Sequence, residues 1–303
     1  RDASEAVRRL REGLTSRVLK VIWVGMGLFL VASAGQLLMQ TAVVHDLPLY
    51  KTLGSPLASV LKDTDWGHLW LWRMNLLLAM AVVLGSGLAA AARQQSTSKF
   101  FQVFVRSAAL ALGGGVLLTL SLSSHGAALT QVRAAAVFSD YLHLLAAGFW
   151  VGSLFHFALG LPMLMRSLAG EERRSVLAAM APRFSTLATL SVGTLIITGI
   201  YNGWAQVTVI SAVATPYGFT LLAKLALVAP LLLLGAFNLL WVRPRLAKEE
   251  RAGRWLRRFV TGEAILAALV LLSVGLLSSL EPARQVASRQ VAAQQSGLVF
   301  RDL

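Results

Sequence analysis

Seven long apolar runs constrain the fold of this chain more than any other feature of its sequence. A helix needs about 20 mainly apolar residues to cross the hydrocarbon core of a bilayer. The runs are continuous rather than alternating, which indicates helices, and hydrophobic residues make up 56% of the 303 positions. We therefore predict an all-α integral membrane protein, a bundle of seven transmembrane helices covering about residues 18–44, 68–92, 101–123, 137–160, 184–209, 217–242 and 259–280.

The positions of the basic residues predict how these helices are oriented. The formal net charge is +14, and 19 of the 28 Lys and Arg residues precede the first span, stand at its start (Lys20) or lie between spans two and three, four and five, or six and seven. Short basic loops face the cytoplasm in membrane proteins. The N-terminus is thus predicted inside and the C-terminus outside. Because the charge serves topology, nucleic acid is not an expected partner.

The same pattern predicts three regions. Residues 1–17 are a cytoplasmic basic segment, residues 18–280 are the transmembrane bundle, and residues 281–303 are an extracytoplasmic tail. We expect this tail to lead into a further domain.

Six side chains on the predicted outer side of the membrane are candidate metal ligands. Cysteine is absent, so a metal must be held by His, Met, Asp, Glu or backbone oxygen. Imidazole suits copper and zinc, and thioether suits Cu(I). Ionisable groups at membrane depth are costly, which makes them functional candidates. The sequence therefore predicts an outer metal site drawn from Met39, His45, His68, His125, Asp140 and His143.

Within that set, Asp140 and His143 form the most informative pair. They stand at positions i and i+3, so they share one helical face with their Cβ atoms about 5–6 Å apart. The carboxylate could accept a hydrogen bond from the imidazole and fix its tautomer. A structural ion pair between Asp140 and Arg73 or Lys224 is the competing interpretation.

Other candidates have structural alternatives. His45 can be an interfacial histidine and Met39 a packing residue. Glu263 lies near the predicted cytoplasmic end of the last span, where Arg257 and Arg258 are its nearest opposite charges in the sequence. Four polar residues within the spans are predicted to support the bundle or line a pathway: Arg73, Asn202, Lys224 and Glu263.

The chain resembles the membrane domain of the copper resistance protein D (CopD) family, including its fusions with a periplasmic copper-resistance C domain. The resemblance runs from about residue 65 to 282 and rests on Ser124-His125-Gly126, Asp140-x-x-His143, Arg183-Phe184-Ser185, Thr198-Gly199-x-Tyr201-Asn202-x-Trp204, Leu221-Leu222-x-Lys224, Gly235-x-x-Asn238 and Glu263. It implies a multi-pass protein of the bacterial inner membrane that moves copper from periplasm towards cytoplasm. It also implies that His125 and His143 are copper ligands, with Asp140 beside them. Family members usually have eight spans, so we expect a preceding helix to be missing from this sequence.

The resulting functional hypothesis is a copper-binding membrane protein, not an enzyme, that captures Cu(I) or Cu(II) at the outer face and imports or delivers it. Its expected partners are copper, lipid, a periplasmic copper-binding domain or chaperone, and an oligomer or larger complex. Two alternatives stay open. One is a b-type cytochrome with axial haem ligands drawn from His68, His125, His143 and His156. The other is an accessory subunit that relays copper without transporting it.

Overall fold

The computed structural model describes residues 2–92, 98–124, 132–206 and 216–279. This part of the chain is helical, with short connections and no strand. Its eight α-helices are α1 (Asp2–His45), α2 (Ser55–Asp63), α3 (Asp65–Ala92), α4 (Lys99–Leu122), α5 (Arg133–Ser167), α6 (Gly170–Gln206), α7 (Pro216–Phe237) and α8 (Glu250–Ser279). A π-helical turn, Asn238–Val242, directly follows α7.

Seven of these helices are long and apolar enough to cross a membrane, which confirms the predicted fold class. The candidate spans are Gly13–His45, Asp65–Ala90, Lys99–Leu122, Arg133–Ser167, Gly170–Trp204, Gly218–Arg245 and Glu250–Gly275. The remaining helix, α2, was not predicted, because it has only 9 residues and lies in the connection between the first two apolar runs. The tail 281–303 lies outside the described residues.

Several helices extend beyond their apolar runs, among them α5 and α6 on either side of their connection. α5 continues through Pro162 to Ser167, and α6 begins at Gly170 and passes through Pro182. A turn of two residues joins them, and Gly170 has a φ of +52°, a left-handed conformation that glycine adopts at no steric cost. Hydropathy marks only the hydrocarbon-spanning part of a helix, so it cannot reveal such polar extensions.

The chain forms two compact units, which we describe separately. The first consists of Leu19–Leu145, and we call it the 19–145 unit. The second consists of Ala146–Leu303 together with Arg1–Val18, and we call it the 146–303 unit.

The 146–303 unit has a core built by α5 to α8 and the turns after α7. Its buried side chains include Leu154, Leu164, Leu177, Leu231 and Leu256. The rings of Phe157 and Phe184 stack with their centroids 5.0 Å apart, which joins α5 to α6. The first turns of α6 and α8 are joined by an ion pair, 2.6 Å from Nη2 of Arg173 to Oε1 of Glu250.

In the 19–145 unit, small residues allow α4 to approach its neighbours closely. A Cβ atom on Gly115 would lie 3.2 Å from Cδ1 of Leu76 on α3. One on Gly114 would lie 3.3 Å from the hydroxyl oxygen of Tyr141 on α5. Because lipid supplies no hydrophobic force between helices, such close van der Waals packing contributes much of their association.

The contact between α2 and α3 is tighter still. A Cβ atom on Gly67 would lie 2.0 Å from the carbonyl oxygen of Val60, inside any allowed contact. Thr64, between the two helices, accepts a hydrogen bond at 2.9 Å from the amide of Gly67 and donates one at 2.6 Å to the Val60 carbonyl. Glycine at position 67 therefore fixes α2 against the start of α3.

We expect Gly67→Ala to lower the free energy of unfolding by about 1–3 kcal/mol, because the new methyl group meets backbone atoms that cannot move aside. The matched control is Gly85→Ala on the same helix, where a Cβ atom meets nothing within 4 Å. That change should leave stability equal or raise it by up to about 1 kcal/mol. Unfolding by dodecyl sulfate in mixed micelles, followed by tryptophan fluorescence, measures both. Equal effects of the two substitutions would contradict the described packing.

Candidate metal-binding site

Two of the predicted ligands, His45 and His68, are hydrogen-bonded to the short helix α2. Nε2 of His45 lies 2.9 Å from Oγ of Ser59, and Nε2 of His68 lies 2.8 Å from the carbonyl oxygen of Lys62. Both imidazoles are exposed. The short helix α2, which we did not predict, thus fixes the orientation of both histidines.

These contacts determine which ring nitrogen is available to a metal. A carbonyl oxygen only accepts, so Nε2 of His68 donates to Lys62. Ser59 donates its single hydroxyl proton to the carbonyl of Pro56 at 2.9 Å, so it accepts from His45. In the neutral imidazole each Nδ1 then carries a lone pair. Metal-binding histidines show the same pattern, with the second ring nitrogen donating to a protein oxygen.

Asp140 and His143 lie in the first turns of α5, on one face of the helix. Both side chains are half-buried, and neither is without an interaction partner. His125 lies outside the described residues, and Ser124 is the last described residue before it. The end of α4 therefore leads directly into the predicted ligand.

Arg73, on α3, fixes the end of α4. Its side chain is only 1% exposed, and its guanidinium joins three helices. Nε donates to Oγ1 of Thr119 at 3.1 Å, while Nη2 donates to the carbonyl of Thr119 at 3.1 Å and to Oγ of Ser123 at 2.8 Å. Nη1 donates to Oε1 of Gln36 on α1 at 3.4 Å. A cation is favourable at a helix C-terminus, where carbonyl groups lack intrahelical partners.

Two further hydrogen bonds join neighbouring helices close to Arg73 in the sequence of α3 or to its acceptors on α4. Oγ of Ser121 donates to the carbonyl of Val137 at 2.8 Å, which joins the last turn of α4 to the start of α5 just before Asp140. Nε1 of Trp70 donates to the carbonyl of Ser33 at 3.0 Å, which joins α3 to α1. The end of α1, the start of α3, the end of α4 and the start of α5 therefore meet, and we call this region the histidine end of the 19–145 unit.

The structure describes five of the six predicted ligands: Met39, His45, His68, Asp140 and His143. Within the described ranges, no three His, Asp or Glu side chains lie close enough to hold a metal ion together. The Met39 side chain is 59% exposed, two positions from Leu37 and Thr41, which form the buried face of α1. The six-residue site therefore stays a prediction, and its ligand His125 is outside the described part of the chain.

The 146–303 unit contains a second polar centre. Glu263, on α8, is 2% exposed and accepts a hydrogen bond from Nδ2 of Asn238, at the start of the π-helical turn. Arg257 and Arg258, the neighbours that the sequence suggested, are exposed, and the Arg258 guanidinium lies 5.6 Å from the ring centroid of Trp255. The partner of Glu263 comes from an adjacent helix, which sequence distance does not reveal.

Two other predicted pathway residues also belong to this unit. Asn202 lies near the end of α6 and Lys224 in the first half of α7, and both are half-buried. Lys224 has an interaction partner within the protein. Their part in a pathway stays a prediction.

Seven apolar spans with polar side chains bonded between them define a multi-pass α-helical membrane protein. Two family models match the sequence: "Copper resistance protein D-like, N-terminal domain" over residues 3–134 and "Copper resistance protein D" over residues 178–277. The copper resistance protein D of Pseudomonas syringae pv. tomato is 30% identical over 230 residues, which cover 73% of this chain and 70% of the relative. The chain belongs to the copper resistance protein D family.

Two further relatives agree with this assignment. The copper transport protein CutJ of Bacillus subtilis (strain 168) is 28% identical over 72% of this chain, but the match spans only 37% of CutJ. The inner membrane protein YebZ of Escherichia coli (strain K12) is 26% identical over 73% of this chain and 70% of its own length. No solved structure matches the chain significantly. The seven apolar spans and these relatives together identify a multi-pass protein of the cytoplasmic membrane.

We expect Arg73→Lys to lower the free energy of unfolding by about 1.5–3 kcal/mol, because an ammonium group cannot reach the α1 and α4 acceptors together and leaves buried oxygen atoms without donors. Arg106→Lys is the control, since Arg106 is exposed on α4. Its effect should stay within about 0.5 kcal/mol. Amide hydrogen exchange over residues 116–124 should rise in the Arg73 variant only. Unchanged exchange there would show that the end of α4 does not depend on this guanidinium.

Proposed function

We propose that this protein binds copper at the outer face of the cytoplasmic membrane and carries it towards the cytoplasm. Membership of the copper resistance protein D family supports the cargo. The observation that carries the proposal is local: Asp140 and His143 share one face of the first turns of α5, which Ser121 joins to the last turn of α4. That turn leads into His125.

In this proposal His143 and His125 bind the ion directly. Imidazole suits both oxidation states of copper, and the chain offers no thiolate. Asp140, one turn before His143, orients the imidazole or balances the charge of the ion. His45, His68 and Met39 form an approach to this pair, and the free Nδ1 atoms of the two histidines are suited to receive an ion from a periplasmic copper-binding protein or domain.

Passage into the cytoplasm would be favoured by the membrane potential, which contributes about 2.3 kcal/mol per unit charge per 100 mV. The polar residues within the spans, Asn202, Lys224 and Glu263, would line or support the route. The inward direction rests on the distribution of basic loop residues, which predicts that the histidine end faces outward.

For the binding step, we expect His143→Ala to reduce bound copper well below one ion per chain, because the variant lacks one of the two proposed imidazole ligands. The control is His156→Ala, which removes an exposed histidine thirteen residues further along the same helix. That variant should bind copper like the unmodified protein. Mass spectrometry of the metal content after copper loading and gel filtration measures both. Full copper content in the His143 variant would exclude His143 as a ligand.

For the transport step, we expect proteoliposomes to take up copper faster when a negative-inside potential is imposed, and His143→Ala to lower the initial rate at least about tenfold. Losing about 1.4 kcal/mol of binding free energy weakens copper binding tenfold. A tenfold lower uptake rate therefore requires only that His143 contributes one metal bond of modest strength. Uptake is followed with a copper-sensitive dye inside the vesicles. Copper binding without uptake would contradict transport and favour an accessory protein that relays the ion.

A further inference from the structure

A cleft in the 146–303 unit combines an apolar wall with a polar end. Its volume is about 340 Å³, within the range of small-molecule sites. Trp150, Phe157 and Phe184 supply aromatic surface from α5 and α6. The polar end is formed by Asn238, Arg243 and Glu263. None of these six residues belongs to the histidine end, so the cleft is a separate feature of the molecule.

The cleft opens on the side of the helices that the bilayer would surround. Ile196, one of its lining residues, is 48% exposed, and the lining residues Thr189 and Ala236 are exposed as well. These side chains lie within the spans of α6 and α7. A molecule that enters here comes from the lipid phase, so it must itself be lipid-soluble.

The polar end specifies the head group of that molecule. Nδ2 of Asn238 donates to Glu263, while Oδ1 of Asn238 is buried and accepts no hydrogen bond from any described residue. An unpaired buried amide oxygen costs about 1–3 kcal/mol, so a turn of the Asn238 side chain that brings Oδ1 to a donor in the cleft is favourable. Arg243, five residues further along, also lines the cleft, and a guanidinium only donates hydrogen bonds. A hydroxyl group both donates and accepts.

The donor set does not suit copper. Among the residues that line the cleft there is no His or Met, and the oxygen atoms share the site with the guanidinium of Arg243, which repels cations. Aromatic and aliphatic walls favour an uncharged body instead. The chemistry of the whole cleft is that of an amphiphile rather than an ion.

We propose that this cleft binds a lipid-soluble alcohol or phenol, with its hydroxyl group between Asn238 and Arg243 and its apolar body against Trp150, Phe157 and Phe184. Such hydroxyl groups occur in two kinds of membrane molecule, glycerolipids with a free hydroxyl and quinols. The proposal is independent of copper transport, because it concerns other residues and another class of ligand.

The test uses the full chain in detergent and two bromine-tagged probes that quench tryptophan on contact. Bromododecanol carries the hydroxyl group, and bromododecane lacks it. We expect bromododecanol to quench Trp150 saturably. The Trp150 signal is the difference in fluorescence between the unmodified protein and Trp150→Phe. The affinity for bromododecanol should be about tenfold above that for bromododecane. Equal affinities of the two probes, or quenching that does not saturate, would overturn the proposal.

Two variants separate the hydroxyl contact from the cleft itself. Asn238→Leu should weaken bromododecanol binding about tenfold and leave bromododecane unchanged, whereas Asn75→Leu, which removes an exposed amide on α3, should change neither. Gly235→Leu should abolish saturable quenching by both probes. Gly235 lines the cleft, and a Cβ atom there meets nothing within 4 Å, so a side chain at this position begins in open space. Gly193→Leu is the matched control, with equal space on α6 but no place in the cleft wall.

Competition distinguishes the two sources of the hydroxyl group. Unlabelled dioctanoylglycerol displaces the probe if the site takes a glycerolipid, and a decyl-substituted hydroquinone displaces it if the site takes a quinol. Displacement of the bromododecanol probe by either compound supports the proposal, provided that the compound is added below the concentration at which it partitions into the detergent micelles. If neither competes, or if Asn238→Leu binds bromododecanol as well as the unmodified protein does, the cleft does not recognise a hydroxyl group.

Discussion

The guanidinium of Arg73 is the interaction on which the histidine end depends. In a bilayer a buried polar group must find its partner within the protein, since no water is available. Arg73 finds acceptors on α1 and α4, and so ties both helices to α3. A lone apolar contact could slide along a helix, but hydrogen bonds to Thr119 and Ser123 allow one register only. The start of α5 is then positioned through Ser121 on the same turn of α4.

The 146–303 unit meets the same constraint in a different way. Glu263 has an amide partner, Asn238, where the 19–145 unit uses an arginine and hydroxyl groups. The amide lies at a π-helical turn, a local widening that occurs frequently at functional sites. Each unit thus has a polar centre inside an apolar frame among the residues that the structure describes. We propose copper for the histidine end and a hydroxyl-bearing amphiphile for the cleft because the donor atoms of the two places differ.

The sequence was sufficient to predict the spans, because hydropathy is a property of each helix alone. Its motifs were sufficient to recognise the family. It was not sufficient for partners between helices. Glu263 pairs with Asn238, twenty-five positions away, because helix packing rather than sequence distance sets contacts. The helix α2 did leave a signal: Ser55-Pro56 at its start and apolar Leu57, Val60 and Leu61 at helical spacing. The ligand set of the copper site was inferred from residue types and depth, and it stays a prediction.

The central claim is that copper is held by imidazole at the histidine end, and X-ray absorption spectroscopy of the copper-loaded protein tests it most directly. We predict a nitrogen and oxygen shell with the multiple-scattering signature of histidine, weakened on substitution of His143 and lost on substitution of both His125 and His143. The chain has seven methionines and no cysteine, so any sulfur around copper must be thioether. A shell of sulfur alone, or a histidine signature that survives substitution of both His125 and His143, would contradict the account.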